Sequence, residues 1–232
     1  MLWPHLTQGT LVQRYKRFLA DVDIDQVGRV TAHCPNTGSM LRCSEPGRPV
    51  YLSHHQNPRR KHKWTWELID MGSSLVGVNT QNTNRIWAEA LRNRSISEFG
   101  RYDTFQPEVK LDPNTRLDFL LTGSDVPPMY VEVKNCTLVQ DKAAAFPDAV
   151  TARGQKHIKA LRAVHDSGMQ AALVFVVQRT DARFFQPAHW IDPEYARLLA
   201  QAARQGVMVK AYDVVMDTSR ITINRDLPVV WE

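Results

Sequence analysis

The sequence predicts an α/β protein in two parts: a small β-barrel over residues 1–80 and an α/β domain with a mixed central sheet over residues 81–232. Three observations predict it. Residues 10 to about 80 read as short strands between turn signals, with little helical spacing. After residue 81, strand-like and helix-like segments succeed one another, a pattern that layers helices on a sheet. The chain has 232 residues, 43% hydrophobic and 23% charged, which is enough to build real cores and excludes global disorder.

In the first part, residues 11–20 look extended and basic, with Arg14, Lys16 and Arg17 around Tyr15. Residues 27–33 and 49–52 are further short strands, bracketed by Asn36-Thr37-Gly38 and Pro46-Gly47 turns. Residues 61–68 alternate, placing Trp64, Trp66 and Leu68 on one face and Lys61, Lys63 and Thr65 on the other. Such a set describes a small barrel of the OB type.

The character changes near Gly77. Asn82 or Asn84 is expected to cap a helix carrying Ile86, Trp87, Ala90 and Leu91. Strands follow at residues 106–110 and 116–121, then a turn over residues 122–128 and a strand at residues 130–134. Residues 148–166 form a helix with Ile158, Leu161 and Val164 on one face, ended by Gly168. Residues 171–177 are a buried strand. Asp192-Pro193-Glu194 starts a helix that Gly206 stops, and residues 207–215 and 221–224 close the chain as strands.

The net charge of +5 and the pI near 9.2 favour polyanionic partners. The excess lies in residues 1–80, which carry ten Lys/Arg against six Asp/Glu; residues 81–232 carry nineteen against eighteen. The longest apolar run, residues 171–177, is too short to cross a bilayer, and the first residues lack the pattern of a secretion signal. The expectation is a cytoplasmic protein with no membrane association. Cys34, Cys43 and Cys136 form no even-numbered framework, and His33-Cys34 lacks the second half of a zinc site.

The acids that matter lie on the predicted hairpin. Phosphodiester hydrolysis needs a Lewis acid on the phosphate, an activated water and a cation for the developing charge. Mg2+ suits this, with Mn2+ as a substitute, because it needs only one or two protein carboxylates besides water and substrate oxygens. The minimal sequence form is an Asp on one strand and Glu-x-Lys on its partner, the intervening residue pointing to the opposite face. Asp118 followed by Glu132-Val133-Lys134 fits, the form known as PD-(D/E)xK. Asp118 and Glu132 are the expected metal ligands, helped by a backbone carbonyl near Val133, and Lys134 the residue that positions or activates water.

Two other arrangements fail. Glu108-Val109-Lys110 has Asp103 upstream, but four intervening residues cannot make two paired strands and a turn. Glu108 is kept as an auxiliary acid. Pro147-Asp148 comes after Glu132, in the wrong order, so Asp148 is expected in the cap or first turn of the following helix. Glu89, an ordinary helical acid, is expected outside the metal set.

Residues 130–138, residues 146–157 and the stretch from His33 to Met40 together resemble the sugar fermentation stimulation protein A family, as do Phe175-Val176-Val177-Gln178-Arg179 and Asp192-Pro193. The resemblance runs nearly end to end. It implies an amino-terminal OB-fold followed by a restriction-endonuclease-like domain, DNA binding with little sequence preference, and a regulatory link to sugar metabolism, especially maltose. Leu117 stands where the motif's name has Pro. In that setting Arg153, Lys156 and His157, at a helix start that favours anions, are candidates to reach a phosphate near the metal. Asn36-Thr37-Gly38 becomes a candidate functional segment on the same ground.

Arg59, Arg60, Lys61 and Lys63 beside Trp64 and Trp66 form a basic, aromatic stretch suited to tracking a nucleic-acid backbone. Arg14, Lys16 and Arg17 form a second basic strip. The sequence is therefore read as a DNA-binding protein, for double or single strands with RNA less favoured, carrying a Mg2+-dependent nuclease site. The alternative is a regulator that binds DNA on the same fold without cutting it. A homodimer is compatible with the sequence.

Overall fold

Short alternating strands hide both sheet edges when they close on themselves. In the computed structural model, which describes residues 1–231, β1 (Leu6–Tyr15), β2 (Leu19–Ile24) and β3 (Gly28–His33) form an antiparallel meander. β1 also pairs with β4 (Pro49–His54), and β4 with β5 (Trp64–Asp70). Parallel pairing of Ala32 with Trp64 and His33 with Thr65 closes a five-stranded OB barrel, and a short β6 (Leu75–Gly77) extends from β5. Leu11, Val22, Val50, Leu52 and Trp66 fill its interior. Each such large side chain contributes about 2 kcal/mol by leaving water.

The expected extended run over residues 11–20 breaks at Lys16 and Arg17, whose φ values of 48° and 66° turn the chain between β1 and β2. Nor do Trp64, Trp66 and Leu68 share one face. Leu52 pairs with Trp66 while Tyr51 pairs with Leu68, so Glu67 is the extra residue of a bulge. Beyond it Leu68 joins the core of the second domain, whereas Trp64 is half-buried with its ring centroid 4.6 Å from that of His54.

The second domain starts with α1 (Thr83–Arg92) and the meander β7 (Thr104–Asp112), β8 (Thr115–Gly123) and β9 (Val126–Cys136). A small sheet of β10 (Leu138–Gln140), β11 (Ala143–Phe146) and, further along, β13 (Phe184–Pro187) lies beyond it. α2 (Ala152–Asp166) leads to β12 (Gln170–Val177), and α3 (Pro193–Arg204) to β14 (Met208–Met216) and β15 (Ile221–Leu227). The central sheet runs β15-β14-β12-β9-β8-β7 and is mixed, since β9, β12 and β14 are parallel and the rest antiparallel. Ile86 and Trp87 of α1 pack with Val131, Val133 and Val174 on one face. Ile158 and Leu161 of α2 and Tyr195 of α3 pack with Leu173 and Phe175 on the other. Coverage on both faces is why β12 is apolar from Ala171 to Val177.

Three local expectations are corrected. β9 begins at Val126, so Pro127 and Pro128 are in the strand; its pairing with β12 starts only at Met129, and their missing N–H groups cost no bond there. Asn82 occupies the α1 cap position without a side-chain capping bond, and the Asn84 amide turns to Asp118 instead. Asp148 is not a cap: α2 starts four residues later under Thr151, whose hydroxyl accepts the Gly154 N–H at 3.0 Å. Asp192 caps α3 as expected, accepting the Tyr195 N–H at 2.9 Å, and its other oxygen accepts the Thr151 N–H at 2.9 Å. One buried carboxylate thereby ties two helix starts together. No helix among the described residues is long and apolar enough to cross a membrane.

Candidate metal and nucleic-acid site

Two strands that pair along most of their length and then part leave a gap that side chains can enter. The β8–β9 ladder runs to Phe119 opposite Val131. Beyond it, the Val133 N–H donates to Asp118 Oδ2 at 2.7 Å, a side chain taking the place of a backbone acceptor. Asp118 Oδ1 accepts from Asn84 Nδ2 at 2.8 Å, which ties the first turn of α1 to the site. Val131 and Val133 enter the α1-side core, so period-two alternation directs Glu132 to the α2 side. There Glu132 Oε1 meets both Lys134 Nζ and His157 Nδ1, and Lys134 Nζ stands 3.4 Å from His157 Nδ1. Glu132 and His157 are buried, and Lys134 is nearly so.

The two carboxylates experience opposite electrostatics. Burial pushes Asp118 up, the nearby Glu132 charge adds to that, and together they hold it at about 6 despite the amide donors. Burial also raises Glu132, but the His157 and Lys134 contacts outweigh it and leave its carboxyl below the ordinary value. Glu132 Oε2 is buried with no hydrogen-bond partner. A buried carboxylate oxygen with an open lone-pair set, next to a second carboxylate that burial disfavours as an anion, fits a hard divalent cation. Among the described residues no cage of three or more His, Cys, Asp or Glu ligands assembles, so a cation here would keep water or substrate oxygens.

In metal-free protein, Asp118→Asn is expected to raise stability at pH 7 by up to roughly 3 kcal/mol. With a folded value near 6 against 3.8 for the ordinary group, only between those two values does the native state hold a proton that the unfolded chain has released, and at pH 7 it carries the cost of a buried, ionised carboxylate. This group's contribution is therefore most favourable below the ordinary value and is lost as pH rises through 6. Melting in chelator at pH 7 and near pH 4 checks it: the advantage should shrink at the lower pH, and an equal or lower melting point at pH 7 counts against the assignment.

The remaining candidates are placed as follows. Glu108, with a φ of 56°, is exposed and pairs with Arg116 at 3.0 Å rather than with the other acids. Glu89 contacts the Met1 amino group. Lys156 Nζ donates to the Asn114 carbonyl at 2.8 Å, and Arg153 is exposed. Arg153 lines a cleft of about 310 Å³ with Lys134, Asp148 and Asn36, Thr37 and Gly38. The barrel turn thus faces the acid-lysine site. Arg14 is committed to shaping that turn, donating to the carbonyls of Asn36, Gly38 and Ser39 at 2.9, 2.8 and 3.2 Å. Lys16, Arg17, Arg59, Lys61 and Lys63 are exposed, while Arg60 donates to Thr65 Oγ1 at 2.9 Å. Asn84 was missed as a site residue because its spacing reads as a helix cap.

Comparison with known proteins agrees with this architecture. The family description "SfsA N-terminal OB domain" matches residues 12–78, and "Sugar fermentation stimulation protein RE domain" matches residues 81–220. A sugar fermentation stimulation protein homolog from Geotalea uraniireducens is 48% identical, covering 97% of this chain and 96% of that protein. One from Pseudoalteromonas atlantica is 45% identical, with 97% of each covered. The structure of Pyrococcus furiosus SfsA in complex with Ca2+ superimposes with a TM-score of 0.91 at 25% identity, covering 99% of this chain and 98% of that one.

Proposed function

The chain belongs to the sugar fermentation stimulation protein family, and from that premise we propose that it binds DNA with little sequence preference and hydrolyses phosphodiester bonds with Mg2+. The observation that carries the reading is the buried, unpartnered Glu132 Oε2 beside Asp118, with Lys134 in contact with the same glutamate. Asp118 and Glu132 hold the cation. Ca2+ in the Pyrococcus furiosus relative is a hard, oxygen-seeking ion of the same kind. When bound, Mg2+ supplies Lewis acidity toward a phosphate oxygen and a more acidic water. Lys134 orients the attacking water and offsets the added phosphate charge, His157 fixes Glu132 from the start of α2, and Asn84 fixes Asp118 from α1.

In this reading the chain divides near residue 80, the barrel guiding nucleic acid and the second domain carrying the chemistry. Incubation of supercoiled plasmid with the protein and Mg2+ or Mn2+ is expected to give nicked product, with none in chelator. Inertness across both ions and single- and double-stranded substrates transfers the function to DNA binding without cleavage, a regulator of sugar metabolism.

The exposed cations Arg59, Lys61 and Lys63 are proposed to contact backbone phosphates. Replacing all three with glutamine is expected to flatten the slope of log affinity against log salt by about 2–3. An unchanged slope takes this loop out of the interface.

A further inference from the structure

A second cavity, of about 520 Å³, opens between the barrel and the start of the second domain. Its basic lining comes from separate elements: His33 ends β3, His55 follows β4, Arg60 lies in the β4–β5 loop and Arg85 on α1. Thr65 and the buried Glu67 complete the polar wall, and Leu2, Trp3 and Pro4 supply apolar lining. It is separate from the cleft holding Lys134: Thr80 lines that cleft, while its neighbours Asn79, Gln81 and Asn82 line this one.

Glu67 makes no ion pair with Arg60 or Arg85. Its oxygens accept from Ser53 Oγ at 2.7 Å, Asn79 Nδ2 at 2.8 Å and Asn82 Nδ2 at 3.0 Å, all neutral donors. Arg60 donates to the Thr65 hydroxyl and Arg85 to Asn82 Oδ1 at 3.3 Å, again neutral partners. Two guanidiniums and two imidazoles thus converge without a carboxylate bound to any of them in this wall. Burial lowers His33 and His55, and the Arg60 charge lowers both further, while the Glu67 charge pulls His55 the other way, so both imidazoles serve as neutral hydrogen-bonding groups beside the two guanidiniums. The volume suits a mononucleotide-sized ligand. Planar guanidinium forks suit a phosphate presenting several oxygens, and the lining from Leu2, Trp3 and Pro4 offers apolar surface to the rest of the molecule.

We propose that the cavity lined by His33, His55, Arg60 and Arg85 is a binding site for a phosphate monoester, distinct from the Asp118–Glu132 site. The dianionic group comes either from a free nucleotide or from the 5′-phosphate end of a nucleic-acid strand. Calorimetric titration of the full chain in chelator, with adenosine 5′-monophosphate and with adenosine, tests the shared chemistry. The monophosphate is expected to bind saturably at one site and adenosine at least tenfold more weakly. Arg60→Gln and Arg85→Gln, on different elements, are each expected to weaken the monophosphate at least tenfold, and Glu132→Gln to leave it unchanged. Absence of saturable binding by the wild type, or wild-type affinity in both arginine variants at unchanged melting temperature, overturns the proposal. Loss of binding in Glu132→Gln overturns its separateness from the metal site. A parallel titration with 5′-phosphorylated and 5′-hydroxyl oligonucleotides identifies the source. A preference for the phosphorylated strand that Arg60→Gln removes assigns the strand end, and equal affinity assigns the free nucleotide.

Discussion

Glu132→Gln is expected to reduce Mg2+-dependent nicking by about 10³-fold and to abolish calorimetric binding of Ca2+, whereas Lys134→Met is expected to lose nicking while keeping the ion. The two side chains touch, so the distinction rests on what each leaves behind. Glutamine retains the shape of Glu132 but brings an amide group where the cation needs anionic oxygen, and it removes the partner of a nearly buried ammonium. Methionine at residue 134 leaves both carboxylates and removes a positive charge beside them, which favours cation binding if it changes it at all. The rate loss in Lys134→Met then reports on water positioning and charge compensation alone. Loss of Ca2+ binding in Lys134→Met gives Lys134 a structural part in holding Glu132 and removes the argument for a direct role.

How much of this was legible without coordinates varied with the range of the interaction. Asp118, Glu132 and Lys134 came from strand alternation, a local period, and the mixed sheet and barrel followed from segment order. Asp192 at the head of α3 was legible because cap chemistry lies within three residues of the helix it serves. Its second bond, to the Thr151 N–H, was not, because 41 residues separate the partners. The Trp64-Trp66-Leu68 face failed for a different reason: one inserted residue, Glu67, resets the alternation, and no residue type signals a bulge. The three short strands β10, β11 and β13 escaped notice, since strands of three or four residues carry too little pattern. Arg14 counted as a surface cation by composition, yet its two terminal nitrogens donate to the carbonyls of Arg17, Asn36, Gly38 and Ser39, which only the folded turn brings together.

Asp148→Ala is expected to lower stability by about 2–3 kcal/mol and to depress nucleic-acid binding as well, although this residue lies outside the acid-lysine pattern. Asp148 Oδ2 accepts the Met40 N–H at 2.9 Å, and its backbone oxygen accepts Ser39 Oγ at 2.6 Å, across more than a hundred residues of chain. Met40 is fully buried, so removing the carboxylate strands an amide that water reaches poorly. Gly38 shows how closely the two segments approach: a Cβ there would lie 2.7 Å from Asp148 Oδ2 and 3.0 Å from Asn36 Oδ1. Gly38→Ala should therefore disturb the same junction from the opposite side by steric pressure. Because each change removes or blocks the same contact, their costs should not add, and the double variant should fall short of the sum. Thermal melting of the four proteins measures this, and additive costs within about 0.5 kcal/mol sink the idea of a shared clamp. The functional consequence follows from position, since residues 36–38, held by Arg14 and adjoining the Ser39 and Met40 that Asp148 binds, line the same cleft as Lys134 and Arg153. A barrel turn fixed in this way makes the distance between the barrel surface proposed to guide DNA and the proposed hydrolytic site depend on one carboxylate, and loosening it should weaken affinity before it alters the chemistry.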